Sequence, residues 1–194
     1  GRKKSEPEML RELVEVINEK DPDVLEGHNI FHFDLPYILQ RCTINGVHFV
    51  IGRDGSPPRG FAVDREGGFS TYELNGRQII DTWLLVQSYD VSKRDMESYG
   101  LKYAARYFGF ASPDRIYISG EKISWYWDNN PEVLIRYALD DVRETRMLSQ
   151  HLSPTTFYVT QMVPMNYGTA ARLGTAAKIE SLMLREYLRQ KHSI

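Results

Sequence analysis

The chain has a single cysteine, Cys42, among its 194 residues. No intrachain disulfide can form, and a reducing intracellular compartment is the natural setting, the cytoplasm or nucleoid in a prokaryote. No apolar run approaches the roughly 20 residues that cross a bilayer, so no membrane role is expected. A signal peptide is not expected either, because Arg2-Lys3-Lys4 is followed by a polar segment. Neither sign of charge dominates: 24 Lys and Arg face 26 Asp and Glu, for a net charge of −2. This argues against a strongly basic nucleic-acid-coating protein and leaves local basic grooves open. Internal repeats and low-complexity segments are missing too. What remains is 42% hydrophobic and 26% charged, the make-up of a globular chain. A disordered tail, a collagen-like fibre and a coiled-coil rod are excluded. The length suits one domain, or one domain with an appended piece. There is no initiator Met, and Gly1 reads as a processing scar or a boundary.

Helix and strand signals alternate along the chain. Ser5 and Glu8 make a capping box, Pro7 sits in the first turn, and Leu10, Leu13, Val14 and Ile17 recur at helical spacing. That helix should stop before Asp21-Pro22. Residues 24–28 read as a short strand and 34–42 as a helix. Residues 53–60 are loop by composition. Residues 61–74 suggest a hairpin turning at Gly67-Gly68. A strand-to-helix passage covers 78–88. A helix over 98–108 ends at Gly109. Pro131 opens a long helix to about His151, and a last helix spans about 175–190. The alternation argues for an α/β fold.

Two constellations carry chemistry. In Gly27-His28-Asn29-Ile30-Phe31-His32-Phe33-Asp34, Asn29 and Asp34 fall at the seam between a strand and a helix. Polar groups at the C-terminal end of such a strand commonly line a site, and a carboxylate there can hold a hard divalent cation. The plain structural alternative is Asp34 capping the helix while Asn29 makes a turn. On the long helix, Tyr137 and Asp141 are four apart and share a face. A phenol beside a carboxylate can orient a metal-bound water. The alternative is a Tyr packed on the sheet and an Asp in the charge run 140–144.

Taken together, Asn-x-x-x-Phe-Asp after a short strand and Tyr-x-x-x-Asp about 100 residues later on a helix resemble the second and third exonuclease motifs of family B DNA polymerases. Asp21-Pro22-Asp23-Val24-Leu25, Gly52-Arg53-Asp54-Gly55-Ser56, Gly76-Arg77-Gln78-Ile79-Ile80-Asp81 and Ser98-Tyr99-Gly100-Leu101-Lys102 are similar to the family's intervening segments. The stretch from Lys178 to Tyr187 looks like its approach to the polymerase palm. The resemblance covers nearly the whole chain. It implies a ribonuclease H-like (DnaQ-like) 3′–5′ exonuclease fold in residues 1–155 and a palm-leading segment in 156–194. It also implies proofreading of a single-stranded 3′ end of primer-template DNA by two divalent cations, Mg²⁺ or Mn²⁺. Asp34 and Asp141 would be metal ligands, Tyr137 would orient the attacking water, and Asn29 and Phe33 would position the terminal nucleotide. The resemblance assigns no role to His28 or His32.

The family's first motif, Asp-x-Glu on the first strand, has no counterpart among the 28 residues before Asn29. Asp64-Arg65-Glu66 and Asp95-Met96-Glu97 follow Asp34, in the wrong order, and read as solvated charges. Two carboxylates cannot readily hold two dications. The chain is therefore expected to be a piece of a larger polymerase, with an incomplete sheet and little activity alone. An exposed sheet edge could pair with another copy. The alternatives are an inactivated exonuclease fold kept as a scaffold or interaction domain, and a stand-alone DNA exonuclease.

Trp125-Tyr126-Trp127, Tyr103, Tyr107 and Phe108 could stack on unpaired bases, but core packing is the expected role. Arg143 and Arg146 could touch phosphates, with helix salt bridges to Asp140 and Glu144 as the default.

Overall fold

The computed structural model describes residues 4–63 and 69–191. Asp64-Arg65-Glu66 and the Gly67-Gly68 turn lie outside them. Helix α1 (Glu6–Lys20) starts where the capping box places it. The Glu8 carboxylate accepts from the Ser5 N–H at 2.7 Å and from its hydroxyl at 2.8 Å. The chain leaves the helix through Asp21, at φ 44°, just before Pro22. Strand β1 (Val24–Gly27) follows, then α2 (Asp34–Ile44). Strands β2 (Arg59–Val63) and β3 (Phe69–Glu73) form an antiparallel hairpin. Strand β4 (Gln78–Asp81) runs into α3 (Thr82–Asp90).

β1 and β4 pair in parallel, with Val24 opposite Gln78 and Gly27 opposite Asp81. Their C-terminal ends therefore finish side by side. Parallel strands are usually covered on both faces, and β4 shows how. Ile79 points into a core with Leu10, Phe31, Leu35, Phe49 and Ile51. Its neighbour Ile80 points into a second core with Leu85, Val86, Ala104, Leu148 and Leu152. The period-2 alternation of a strand divides the two cores. The other edge of β1 has no partner strand among the described residues.

The second core is closed by α4 (Leu101–Tyr107) and α6 (Pro131–Met162). Gly109, at φ 74°, lets the chain reverse after α4. The long helix does not stop at His151. It continues through Pro154 for two more turns. Proline removes one donor, and the packing of Leu148 and Leu152 before it and Phe157 against Tyr167 after it (5.7 Å between rings) holds the helix on course. The helix thus runs across the expected boundary at residue 155. Two helices had no clear sequence signal, α5 (Ile123–Asn129) and α7 (Tyr167–Arg172). Helix α8 (Thr175–Arg189) ends the described chain.

Candidate active site

The site forms at the C-terminal ends of β1 and β4. The chain leaves β1 at Gly27, whose hydrogens are all the space allows: an added Cβ would lie 2.7 Å from the Cβ of Ile30. Asn29 takes the left-handed conformation at φ 66°, which Asn tolerates better than most residues. The turn is tied to β4 by Asp81. Its Oδ1 accepts from the backbone N–H of Asn29 at 2.7 Å and of Trp83 at 3.0 Å, and its Oδ2 accepts from Phe31 at 3.4 Å. Burial pushes the Asp81 carboxyl up to about 6, against those three bonds and with a smaller push from Asp34. Sequence reasoning quoted Asp81 only as the end of a segment. An acid at the last position of a strand, directly before a helix, was the available signal.

Asp34 opens α2 but does not cap it. The N-cap is Phe33, with no side-chain cap bond. The capping alternative is thereby overturned, and the half-buried carboxylate faces a cavity of about 570 Å³ that Asp141 also lines. Glu26, His28, Thr145 and Arg146 complete much of that cavity. Burial raises the pKa of Asp34. Asn29 lies in the turn that leads to Asp34 and Phe33 is exposed just before it, and neither lines the cavity. Phe33 is stacked on Tyr37 with ring centroids 5.8 Å apart and planes 4° from parallel.

His28, given no role from sequence, is bonded at both ring nitrogens. The Tyr99 carbonyl can only accept, so Nε2 carries the proton and donates to it at 2.8 Å. Nδ1 then takes the Thr82 hydroxyl at 2.9 Å. Burial lowers its pKa, which suits this neutral ring.

Tyr137 and Asp141 share one face of α6, as their spacing predicts. The Tyr137 hydroxyl accepts from Lys102 Nζ at 2.9 Å. Asp141 is ion-paired with Arg115, a buried residue that sequence reasoning missed. The same guanidinium stands 3.8 Å from Asp140 and 2.7 Å from Glu144, and 5.2 Å from the centre of the Tyr137 ring. The Nε to Glu144 approach lacks hydrogen-bond alignment, and Glu144 Oε2 has no hydrogen-bond partner. Burial pushes the Glu144 pKa up although Arg115 pulls it down. The expected salt bridges of Arg143 and Arg146 with Asp140 and Glu144 are therefore corrected: the buried Arg115 takes those acids, and with it Glu144 is shielded from water while Asp140 stays partly exposed.

The aromatic segment 125–127 also departs from expectation. Trp125 is 57% exposed and Trp127 44%, so these rings do not form core. Phe108 does pack on the second core, and Tyr107 is at the surface. Among the described residues, no three His, Cys, Asp or Glu side chains converge as a metal site. No helix of the described chain is long and apolar enough to cross a membrane.

Residues 2–104 match the family model described as DNA polymerase family B, exonuclease domain. The chain belongs to the family B DNA polymerases, in their exonuclease domain. It is 29% identical over 185 residues to a DNA polymerase of Thermococcus kodakarensis, covering 94% of this chain and 10% of that one. Identity is likewise 29% over 186 residues to a Desulfurococcus DNA polymerase, covering 94% and 23%. The family B DNA polymerase of the archaeon Pyrobaculum calidifontis superposes with a TM-score of 0.80 at 27% identity, over 94% of this chain and 23% of that one. The chain thus spans about a tenth to a quarter of these relatives. The match supports the ribonuclease H-like exonuclease fold, with the two parallel strands and flanking helices described above as its visible part.

Proposed function

We propose that this chain is part of the proofreading 3′–5′ exonuclease domain of a longer family B DNA polymerase. Asp34 and Asp141 would be its cation-binding carboxylates, Tyr137 would orient the attacking water, and Asn29 and Phe33 would seat the 3′-terminal nucleotide. One observation carries this reading: Asp34 and Asp141, from the second and third motifs, line the same cavity. Phe33, next to Asp34 in the chain, is exposed and stacked on Tyr37, an aromatic surface that suits an unpaired base. Residues 156–194 would lead toward the polymerase palm, and the free edge of β1 would take an upstream strand or a second copy.

Bound divalent cations would supply an activated water and stabilise the leaving oxygen. The two carboxylates here are oxygen donors suited to Mg²⁺ or Mn²⁺, but they do not by themselves fit a two-ion site. Glu26 lines the same cavity, but among the described residues no third acid or histidine converges with the two as a metal site, and Arg115 is paired with Asp141. The chain's own contribution is therefore to hold one carboxylate on each wall and to place a phenol beside one of them.

The reading is tested in the longer polymerase, by release of 3′ nucleotides from single-stranded DNA with Mg²⁺. Asp34→Ala and Asp141→Ala should each slow release by about a hundredfold or more. Unchanged release would overturn the assignment. The 194-residue chain alone should show little or no activity. Robust metal-dependent release by it, abolished by Asp34→Ala, would overturn the view that the site is incomplete. The Arg115–Asp141 pair favours a second reading, an inactive scaffold. A longer polymerase that extends primers yet never removes 3′ nucleotides would establish it.

A further inference from the structure

A second groove, of about 470 Å³, adjoins the site from the side of α4. Lys102, Tyr103 and Arg106 line it, and it ends at Tyr137 and Asp141. Asp141 also lines the cavity that holds Asp34. The carboxylate therefore stands at the boundary between this groove and the cavity of the site.

Arg115, close by, is taken up by three acids. Among the described residues Lys102 and Arg106 have no ion pair at all. Lys102 donates to the Tyr137 hydroxyl and stands 4.8 Å from the centre of that ring and 6.0 Å from that of Tyr117. Arg106, exposed, donates from Nε to the Lys102 carbonyl at 3.2 Å. The two residues are four apart on one helix, so both charges lie along the same wall. Tyr103 stacks on Tyr107 beside them, at 6.5 Å between rings. Unneutralised cations along a groove, interleaved with aromatic rings, are what a single-stranded nucleic acid backbone and its bases require.

We propose that Lys102 and Arg106 are phosphate-binding residues for single-stranded DNA, and that the groove along α4 is the path by which a 3′ strand reaches Asp141. This rests on the exonuclease reading, and it adds residues outside the second and third motifs.

The test is binding of labelled oligothymidylate to the full chain without divalent cations, followed by anisotropy over a salt series. The double variant Lys102→Gln, Arg106→Ala should bind about tenfold more weakly at low salt. The slope of log affinity against log salt should become shallower by about 1.4, since each single-strand phosphate contact contributes about 0.7. Gln keeps a donor toward Tyr137, and the exposed Arg106→Ala variant alone should show about half the slope change. Melting curves exclude unfolding. A charge-matched control, Arg11→Ala with Lys20→Ala on the exposed side of α1, should change affinity less than about twofold. Equal losses in both doubles, or no binding by the wild-type chain at low salt, would overturn the proposal. Groove-dependent binding beside a longer polymerase that never releases 3′ nucleotides would sink the exonuclease reading and spare the groove. The reverse pattern would sink the groove and spare the exonuclease.

Discussion

Arg115 and Asp141 come from different elements and meet as an ion pair beneath the Tyr137 ring. The Arg115 side chain is 2% exposed, and the pair shares its guanidinium with Glu144, itself 3% exposed. The cation therefore balances buried negative charge as well as orienting Asp141.

Arg115→Met removes the charge and keeps most of the volume. It strands Glu144 in a place water does not reach. Such a loss costs about 3–5 kcal/mol. Urea unfolding should show it as a lowered midpoint. The double variant Arg115→Met, Glu144→Gln should recover a large part, and failure to recover would mean that Arg115 acts through packing alone.

Asp81 makes stability depend on pH. Burial raises its carboxyl to about 6 in the folded chain, from about 3.9 when unfolded. A raised folded value favours the protonated form. Its contribution is fully present below about pH 4 and is lost as pH rises through about 6. Asp81→Asn keeps an acceptor at the position of Oδ1, which takes the Asn29 and Trp83 N–H groups. The variant should gain stability relative to wild type as pH rises from 4 to 7. Parallel denaturation curves at pH 4.5 and 7 measure this, and an unchanged difference between the proteins would refute it.

Gly27→Ala places a methyl group 2.7 Å from Ile30 Cβ. Ile30 packs on the first core and cannot swing away freely. Overpacking of this kind costs about 1–3 kcal/mol. The loop from Asn29 to Asp34 should shift with it, so a crystal structure of the variant should show Asp34 displaced from the cavity wall.

The tryptophans give a simple check on the surface. Trp125 and Trp127 are exposed and Trp83 is half-buried. Acrylamide should quench most of the emission, and Trp125→Phe should lower the quenchable fraction. Stability should move by no more than about 0.5 kcal/mol, as for other surface changes.

Local chemistry was enough to read much of this chain from sequence. The capping box at Ser5 and Glu8, the stop at Asp21-Pro22, and the helix starts at Asp34 and Pro131 are set by a few neighbouring residues. The spacing of Asn29, Asp34, Tyr137 and Asp141 made the family resemblance legible, and the i, i+4 geometry puts Tyr137 and Asp141 on one face. Order along the chain also exposed the missing Asp-x-Glu. Three features were decided by tertiary structure. Arg115 reaches Asp141 and Glu144 only because the loop carrying it folds beneath α6. Asp81 becomes a buried acceptor only when β4 pairs with β1 and brings it under the Asn29 turn. The aromatic segment at Trp125 looked like core by composition, yet it is exposed, because the second core is already filled by α3, α4 and α6. Burial and charge pairing depend on which distant elements arrive at the same place, and no local pattern encodes that.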